Sequence, residues 1–194
     1  MVRKRLRWKP DNQQFFSAFQ SGFRAARSTT DHLVCLDTDI CNALVAKHHL
    51  LAVSLDIEKA YEMVCRSRVV KLLADQQISG PMLSFVRNLL QDRLLRVRLH
   101  DAISDPVKME NGLPQGSVLS VLLFLVAINE ATAIVDRPVY VFADDITLTC
   151  SGNDPELTSS LMQQALDALQ TWTTTSGFPI SESKTEAIVF LENA

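Results

Sequence analysis

Apolar positions along the chain follow two periods, which predict a mixture of helices and strands. Leu33, Leu36 and Ile40 follow one another at steps of three and four residues, as on one face of an amphipathic helix. Residues 50–57 and 139–150 are short apolar runs with β-branched residues, which are typical of buried strands. Because helices and strands alternate without regular βαβ units, we predict an α+β fold with helices packed on one face of a sheet.

Two segments show the signals of antiparallel hairpins. Residues 94–100, "LLRVRLH", alternate apolar with basic side chains, which predicts a half-exposed strand with two cations on one face. Hairpins are therefore expected near residues 94–110 and 138–150.

The most apolar stretch, residues 117–135, predicts a helix that is buried on most sides. Asn129 and Glu130 interrupt it well short of the roughly 18 residues that a membrane span requires. No secretory signal is visible, so a soluble intracellular protein is expected, in the nucleus or the cytoplasm.

Composition and charge are those of an ordinary globular domain. The chain has 194 residues, 47% hydrophobic and 21% charged, and its net charge of −3 argues against a generic polyanion-binding protein. Residues 1–27, however, contain seven lysines and arginines against one acid. This basic arm suits phosphate contact at one edge of the molecule, and a solvated terminal face explains it equally well. The four cysteines lack the spacing of a metal site, so reduced thiols are expected.

Three carboxylates lie on or beside the predicted strands, where an unpaired charge is costly. Asp144 and Asp145 interrupt the run "VYVFADDITLTC", and Asp56 ends the run "AVSLD". If Asp144 and Asp145 occupy a tight hairpin turn beside the strand that ends at Asp56, their oxygens converge. Such a set suits Mg²⁺, and two ions about 3.5–4 Å apart can activate a hydroxyl and stabilise a leaving oxygen. A plain turn explains the adjacent aspartates as well, since Asp is common in turns.

Five segments occur in an order that resembles a known family. They are "QSGFRAARSTTDHLV", "AVSLDIEKAYEMV", "NGLPQGSVLSVLLFLVAIN", "YVFADDITL" and "GFPISESKTEAIVF". The first resembles the fingers segment, and the others the successive palm motifs, of reverse transcriptases from jockey-like non-LTR retrotransposons. The resemblance covers about residues 20–190. It implies a polymerase palm-type antiparallel sheet, with partial fingers at about residues 1–50 and the palm at about residues 51–194.

The resemblance implies roles for four residues at a chemical centre. Asp56 and Asp144 would bind two Mg²⁺ ions, with Mn²⁺ as an alternative, and Asp145 would be the supporting acid among these metal ligands. Lys184 would lie near the leaving pyrophosphate as a charge stabiliser or proton donor, although a surface lysine is the commoner fate of a lone Lys. The implied reaction is RNA-directed DNA synthesis, in which a primer 3′-hydroxyl attacks the α-phosphate of a nucleotide.

Further residues would shape the nucleotide pocket. The Tyr61 ring would clash with a 2′-hydroxyl and so favour deoxynucleotides, and a simply packed aromatic is the alternative. Gln115 and Gly116, together with Gly112 and Pro114, would form a loop next to the nucleotide and the template, since glycines let a backbone approach a ligand closely. The same residues would also make a plain helix-entry turn.

Two arginines and a set of partners complete the implied picture. Arg24 and Arg27 would contact the template or the triphosphate from the fingers, with exposed surface arginines as the alternative. The implied partners are an RNA template, a DNA primer and deoxynucleoside triphosphates, with no membrane.

The chain departs from the family pattern at three positions and in its extent. Glu62, Val121 and Glu130 stand where Asp, Pro and Asp are usual, and none of them replaces Asp56 or Asp144. The resemblance also implies a thumb after residue 194 and an upstream endonuclease. The chain is therefore expected to be one reverse transcriptase domain fragment that extends a primer weakly or not at all by itself.

Two other functions stay open at this point. An RNA-dependent RNA polymerase shares the paired acids, although Ala143 and the bulky Tyr61 argue against it. A truncated, non-catalytic nucleic-acid-binding relic would keep the fold without turnover.

Overall fold

A computed structural model describes Leu6 and residues 15–191 as a set of helices and short strands. The α-helices are α1 Thr29–Val45, α2 Ala60–Met63, α3 Arg66–Asp75, α4 Gly80–Leu90, α5 Val118–Ile128 and α6 Pro155–Ser176. The strands are β1 His49–Asp56, β2 Leu94–Leu95, β3 Arg98–Leu99, β4 Ala102–Ile103, β5 Val107–Lys108, β6 Val139–Phe142, β7 Asp145–Gly152 and β8 Glu186–Phe190. Two 3-10 helices span Asn129–Ala133 and Glu182–Lys184.

The chain divides into two compact units. Residues 16–60 and 128–191 form the first, which we call the sheet unit; Leu6, Phe15 and residues 61–127 belong to the second, the helical unit. The expected division into fingers and palm near residue 50 does not coincide with this one and stays a prediction.

Local signals at the helix ends explain where the longest helix lies. Asp154 accepts hydrogen bonds from the backbone N–H groups of Glu156 and Leu157 at 2.9 and 3.2 Å, so it caps α6. Pro155 follows in the first turn, where its missing N–H costs nothing. Gly177 ends the helix with φ of +82°, the left-handed conformation that glycine adopts without strain.

The sheet unit is built on one antiparallel sheet. Its strand order is β6-β7-β1-β8, and β1 pairs with β7 from His49 opposite Gly152 to Asp56 opposite Asp145. The predicted hairpin near residues 138–150 is confirmed as the β6–β7 pair. The α+β class and the antiparallel sheet are confirmed as well.

Helices α1 and α6 both pack against strands of this sheet. Asp39 of α1 accepts a hydrogen bond from the Thr149 hydroxyl at 2.6 Å, so α1 lies on the face of Thr149. Gly152, three residues further along β7, points to the opposite face. There the hydroxyl oxygen of Thr158 in α6 lies 2.5 Å from where a Cβ of Gly152 would be. The face that a helix covers depends on long-range packing, which strand periodicity alone does not reveal.

The helical unit contains α2 to α5 and a two-part ribbon. The predicted hairpin near residues 94–110 is confirmed, since β2 pairs with β5 and β3 with β4. The predicted half-exposed strand at residues 94–100 is instead broken into β2 and β3. Its apolar side chains Leu95, Val97 and Leu99 remain 49%, 62% and 69% exposed, so alternation here does not mark a buried face.

The buried helix predicted from residue 117 is confirmed as α5. Leu123, Phe124 and Val126 are fully buried, and the helix gives way to the 3-10 helix at Asn129. Among the described residues, none of the helices has the length and apolar character needed to cross a membrane.

Candidate active site

The structure brings three acids of the sheet unit together at one end of the sheet. Asp56 is the last residue of β1, and Asp145, the first residue of β7, lies directly opposite it. Asp144 precedes Asp145 in the turn after β6, and its carbonyl accepts a hydrogen bond from the Ile57 N–H at 3.2 Å. The predicted convergence of Asp56 with the acidic hairpin tip is therefore present in the backbone.

The charges of these acids influence one another. The pKa of Asp145 is raised because its carboxyl loses part of its hydration, and because the negative charges of Asp144 and Asp56 oppose its ionisation. The positive charge of Lys184 acts in the opposite direction on the same group. An additional cation at this end of the sheet would relieve the repulsion.

Lys184 makes a direct side-chain contact with Asp56 of this group. Its Nζ donates a hydrogen bond to Oδ2 of Asp56 at 2.9 Å, and this contact raises the pKa of Lys184. The backbone positions it there: the N–H of Ser181 donates to the carbonyl of Asp56 at 2.8 Å, and Ile180 bridges to Ile57. The Asp56 side chain is 18% exposed and that of Lys184 66% exposed.

The three acids suit a divalent cation in their chemistry but are not arranged as a finished ligand set. Carboxylate oxygens on adjacent strand ends are the ligands that Mg²⁺ prefers, and their mutual repulsion favours a cation between them. Within Leu6 and residues 15–191, however, no three His, Cys, Asp or Glu side chains are already grouped to hold a metal ion. Oδ2 of Asp56 instead accepts a hydrogen bond from the ammonium of Lys184.

Tyr61, Gln115 and Gly116 share a pocket within the helical unit. The pocket has a volume of about 370 Å³ and is lined by Tyr61, Gln115, Gly116, Ser117, Val118, Ser120 and Val121. The Tyr61 ring stacks on the ring of Phe124 with centroids 4.8 Å apart and planes inclined by 18°. This stack holds the aromatic ring at the pocket wall.

The loop that enters the pocket is tied to α2 by close backbone contacts. Gly112 has φ of +86°, and a Cβ on it would lie 2.7 Å from the carbonyl oxygen of Glu62, so this position requires glycine. The N–H of Leu113 donates to the carbonyl of Tyr61 at 2.8 Å. The side-chain amide of Gln115 donates a hydrogen bond to Oε1 of Glu62 at 3.2 Å. Glu62, which stands where the family usually has Asp, therefore has a partner in this loop.

Arg66 supports the same loop and was missed by the sequence analysis. Its guanidinium donates to the carbonyls of Gly112, Met109 and Asn111 at 2.6, 2.6 and 2.7 Å, and the residue is only 8% exposed. Burial and the positive charge of Arg93 lower its pKa. An arginine in the first turn of a helix resembles a surface residue in sequence, so no local signal marks this role.

The two arginines predicted to contact template or triphosphate have partners inside the sheet unit. Nη1 of Arg24 donates to the carbonyls of Ser17 and Gln20 at 2.6 and 2.9 Å. Arg27 pairs with Asp31, one helical turn away, at 3.9 Å. The structure thus directs Arg24 to the backbone of its own segment.

Comparison with known proteins places this geometry in context. The family model described as "Reverse transcriptase (RNA-dependent DNA polymerase)" matches residues 1–190. The chain is 27% identical over 184 residues to a probable RNA-directed DNA polymerase from transposon BS of Drosophila melanogaster, and 28% identical over 181 residues to that of mobile element jockey of Drosophila funebris. Each match covers 89% of this chain and 20% of the relative, so the chain spans about a fifth of these relatives' length.

Solved structures show the same fold at low sequence identity. Telomerase from Candida tropicalis, solved with a TWJ fragment of telomeric RNA, has a TM-score of 0.74 at 12% identity, with 97% of this chain and 33% of that chain covered. The corresponding Candida albicans complex has a TM-score of 0.70 at 15% identity, with 96% and 35% covered.

Proposed function

Because the chain belongs to the reverse transcriptase family, we propose that it carries the catalytic centre of an RNA-directed DNA polymerase of a mobile element. In the proposed reaction, a primer 3′-hydroxyl attacks the α-phosphate of a deoxynucleoside triphosphate. A new phosphodiester bond forms, the bond to pyrophosphate breaks, and an RNA template selects the base. The names of the curated relatives, which include RNA-directed DNA polymerases of mobile elements, support this proposal.

The convergence of Asp56, Asp144 and Asp145 at one end of the sheet carries the proposal. Asp56 and Asp144 would hold divalent cations, two Mg²⁺ ions or Mn²⁺ in their place, and Asp145 would support them. When bound, such ions supply positive charge that stabilises the phosphoryl oxygens and favours ionisation of the attacking hydroxyl. The raised pKa of Asp145 supports this assignment, because lost hydration and then the repulsion of Asp144 and Asp56 oppose its ionisation, and a bound cation would favour it.

Lys184 would act on the leaving group. Its ammonium lies at the acidic end of the sheet through its contact with Asp56, and its raised pKa keeps it protonated at neutral pH. It can therefore stabilise the charge that develops on pyrophosphate, or donate a proton from Nζ.

Residues of the helical unit would select the nucleotide. The Tyr61 ring, held by its stack on Phe124, would exclude a 2′-hydroxyl. Gln115 and Gly116 line the same pocket and would contact the nucleotide and the template. Among the basic residues, Arg27 is the stronger candidate for template or triphosphate contact, because its ion pair with Asp31 is partly exposed whereas Arg24 is bonded internally.

The test measures metal binding and synthesis separately on the 194-residue chain. Mn²⁺ binding is followed by electron paramagnetic resonance, and single-nucleotide incorporation by extension of a DNA primer on an RNA template. Asp56→Asn and Asp144→Asn are compared with Asp37→Asn, an exposed acid on α1. We expect each site variant to weaken Mn²⁺ binding at least about tenfold and the control to leave it unchanged, since loss of a ligand exceeds the effect of its supporting groups.

The outcomes separate the proposed enzyme from its alternative. Incorporation that is lost in both site variants supports the polymerase. Metal-dependent binding of primer–template without any incorporation, at high protein concentration, favours the non-catalytic nucleic-acid-binding relic. Equal Mn²⁺ binding by wild type and both site variants contradicts the proposed centre.

A further inference from the structure

We propose that residues 16–24, which we call the edge segment, are a positioning element for the turn that presents Asp144. Gly22 and Arg24 are its two decisive residues. They act through the backbone of the turn. The inference rests on the proposed function only in that Asp144 is taken as a metal ligand.

The edge segment extends the sheet beyond its outer strand. Gln20 forms a parallel bridge with Val141 of β6. The N–H of Ser21 donates to the carbonyl of Val141 at 2.9 Å, and the N–H of Val141 donates to the carbonyl of Phe19 at 2.9 Å. Gln20 and Ser21 are 0% and 4% exposed. The strand that leads directly into the acidic turn is therefore held on its outer side by this segment.

Gly22 lies against the turn itself. A Cβ on Gly22 would be 3.0 Å from Cα of Ala143 and 3.1 Å from the carbonyl carbon of Phe142, and closer still to the N of Ala143. Ala143 has φ of +57°, a left-handed conformation that costs a non-glycine residue about 1–2 kcal/mol. Gly22 therefore lies against Ala143, the residue immediately before Asp144 whose backbone is in this left-handed conformation.

Arg24 holds the edge segment in the shape that this contact requires. Its Nη1 joins the carbonyls of Ser17 and Gln20, and its guanidinium lies 5.6 Å above the ring of Phe16. The N–H of Ser17 in turn donates to the side-chain oxygen of Asn129 at 3.0 Å, which anchors the beginning of the segment to the 3-10 helix. One nitrogen, Nη1, makes both hydrogen bonds while the planar guanidinium lies over the Phe16 ring, an arrangement that a lysine ammonium does not reproduce.

The test uses hydrogen exchange of the amides of residues 140–146 together with Mn²⁺ affinity. Gly22→Ala is compared with Gly80→Ala, where a Cβ has no atom within 4 Å and the cost comes only from the left-handed φ of +62° in the helical unit. Arg24→Lys, which keeps the charge and removes the planar guanidinium, is compared with Arg96→Lys at an exposed position. We expect Gly22→Ala and Arg24→Lys to speed exchange of the turn and to weaken Mn²⁺ affinity by about tenfold, while both controls stay near wild type.

Each result decides the inference. The inference is overturned if Gly22→Ala folds and keeps the wild-type hydrogen exchange of residues 140–146 and the wild-type Mn²⁺ affinity. It is also overturned if Arg24→Lys leaves the exchange of these residues unchanged. If Gly22→Ala fails to fold, Arg24→Lys carries the decision. If the wild type binds no Mn²⁺, the proposed function fails, and the exchange rates still show whether the edge segment positions the turn.

Discussion

The Nζ of Lys184 lies 2.9 Å from Oδ2 of Asp56, so the carboxylate at the end of β1 already has a cationic partner. A divalent cation that uses the same oxygen must compete with this ammonium. The contact therefore couples the proposed leaving-group residue to the proposed metal ligand.

Replacing Lys184 with methionine should move metal affinity and reaction rate in opposite directions. Lys184→Met removes the competing ammonium, so Mn²⁺ affinity should rise by about two- to fivefold, as fits an exposed ion pair. Incorporation should slow, because the charge that stabilises pyrophosphate is gone. Titration of Mn²⁺ and single-turnover incorporation measure the two effects. Lys108→Met is the control, because it breaks an exposed ion pair in which Nζ lies 3.2 Å from Oδ1 of Asp92. A lower Mn²⁺ affinity in Lys184→Met would contradict the proposed competition between the ammonium and the metal ion for Asp56.

Loss of the ring beneath Tyr61 should weaken sugar selection. Phe124→Leu removes the stack and should let the Tyr61 ring move, so the preference for deoxy- over ribonucleotides should fall, though less than in Tyr61→Val. Because Phe124 is fully buried, we also expect a stability loss of about 1–2 kcal/mol.

Phe178→Leu is the control for that stability loss. Phe178 is also buried, but it lies in the sheet unit, where its ring centroid is 5.6 Å from that of Trp172. Competition between the two nucleotide types in incorporation assays measures the preference. An unchanged preference in Phe124→Leu, with a lowered one in Tyr61→Val, would mean that Tyr61 keeps its position without the stack.

Arg66 should be important for the stability of the loop before Gln115. Arg66→Met removes three hydrogen bonds to carbonyls and should cost about 2–4 kcal/mol in urea unfolding, with faster exchange at residues 109–113. Arg66→Lys should recover only part of this, because an ammonium lacks the planar fork. Arg87→Met, at an exposed position of α4, should have little effect. Full recovery in Arg66→Lys would show that charge alone is sufficient.

His32 should make the stability of the sheet unit depend on pH. Its ring lies 3.3 Å from the Thr147 hydroxyl, and burial lowers its pKa in the folded state. The unfolded chain then takes up a proton near pH 6.5 that the folded chain resists, so stability is retained above this pH and lost as the pH falls below it. Urea midpoints between pH 7.5 and about 5 measure the slope. His32→Gln should flatten it, and exposed His100→Gln should not.

Local patterns were sufficient to predict most of the sheet unit. The C-terminal end of β1 and the turn between β6 and β7 are marked by acids beside apolar runs, and the predicted hairpins are present. The strand expected at residues 94–100 is instead broken into two short strands whose apolar side chains remain exposed. Which surface becomes buried is decided by elements distant in the chain.

By itself, the sequence determined that Asp56 ends a strand and that Asp144 and Asp145 lie at a hairpin turn, because strand ends and turns are encoded by neighbouring residues. Only the tertiary structure decided that Gly22 lies against Ala143, and that Arg24 and Arg66 bind backbone carbonyls. Every residue has a carbonyl whatever its side chain, so the sequence contains no mark for the acceptor. Its position becomes defined only when distant segments fold together.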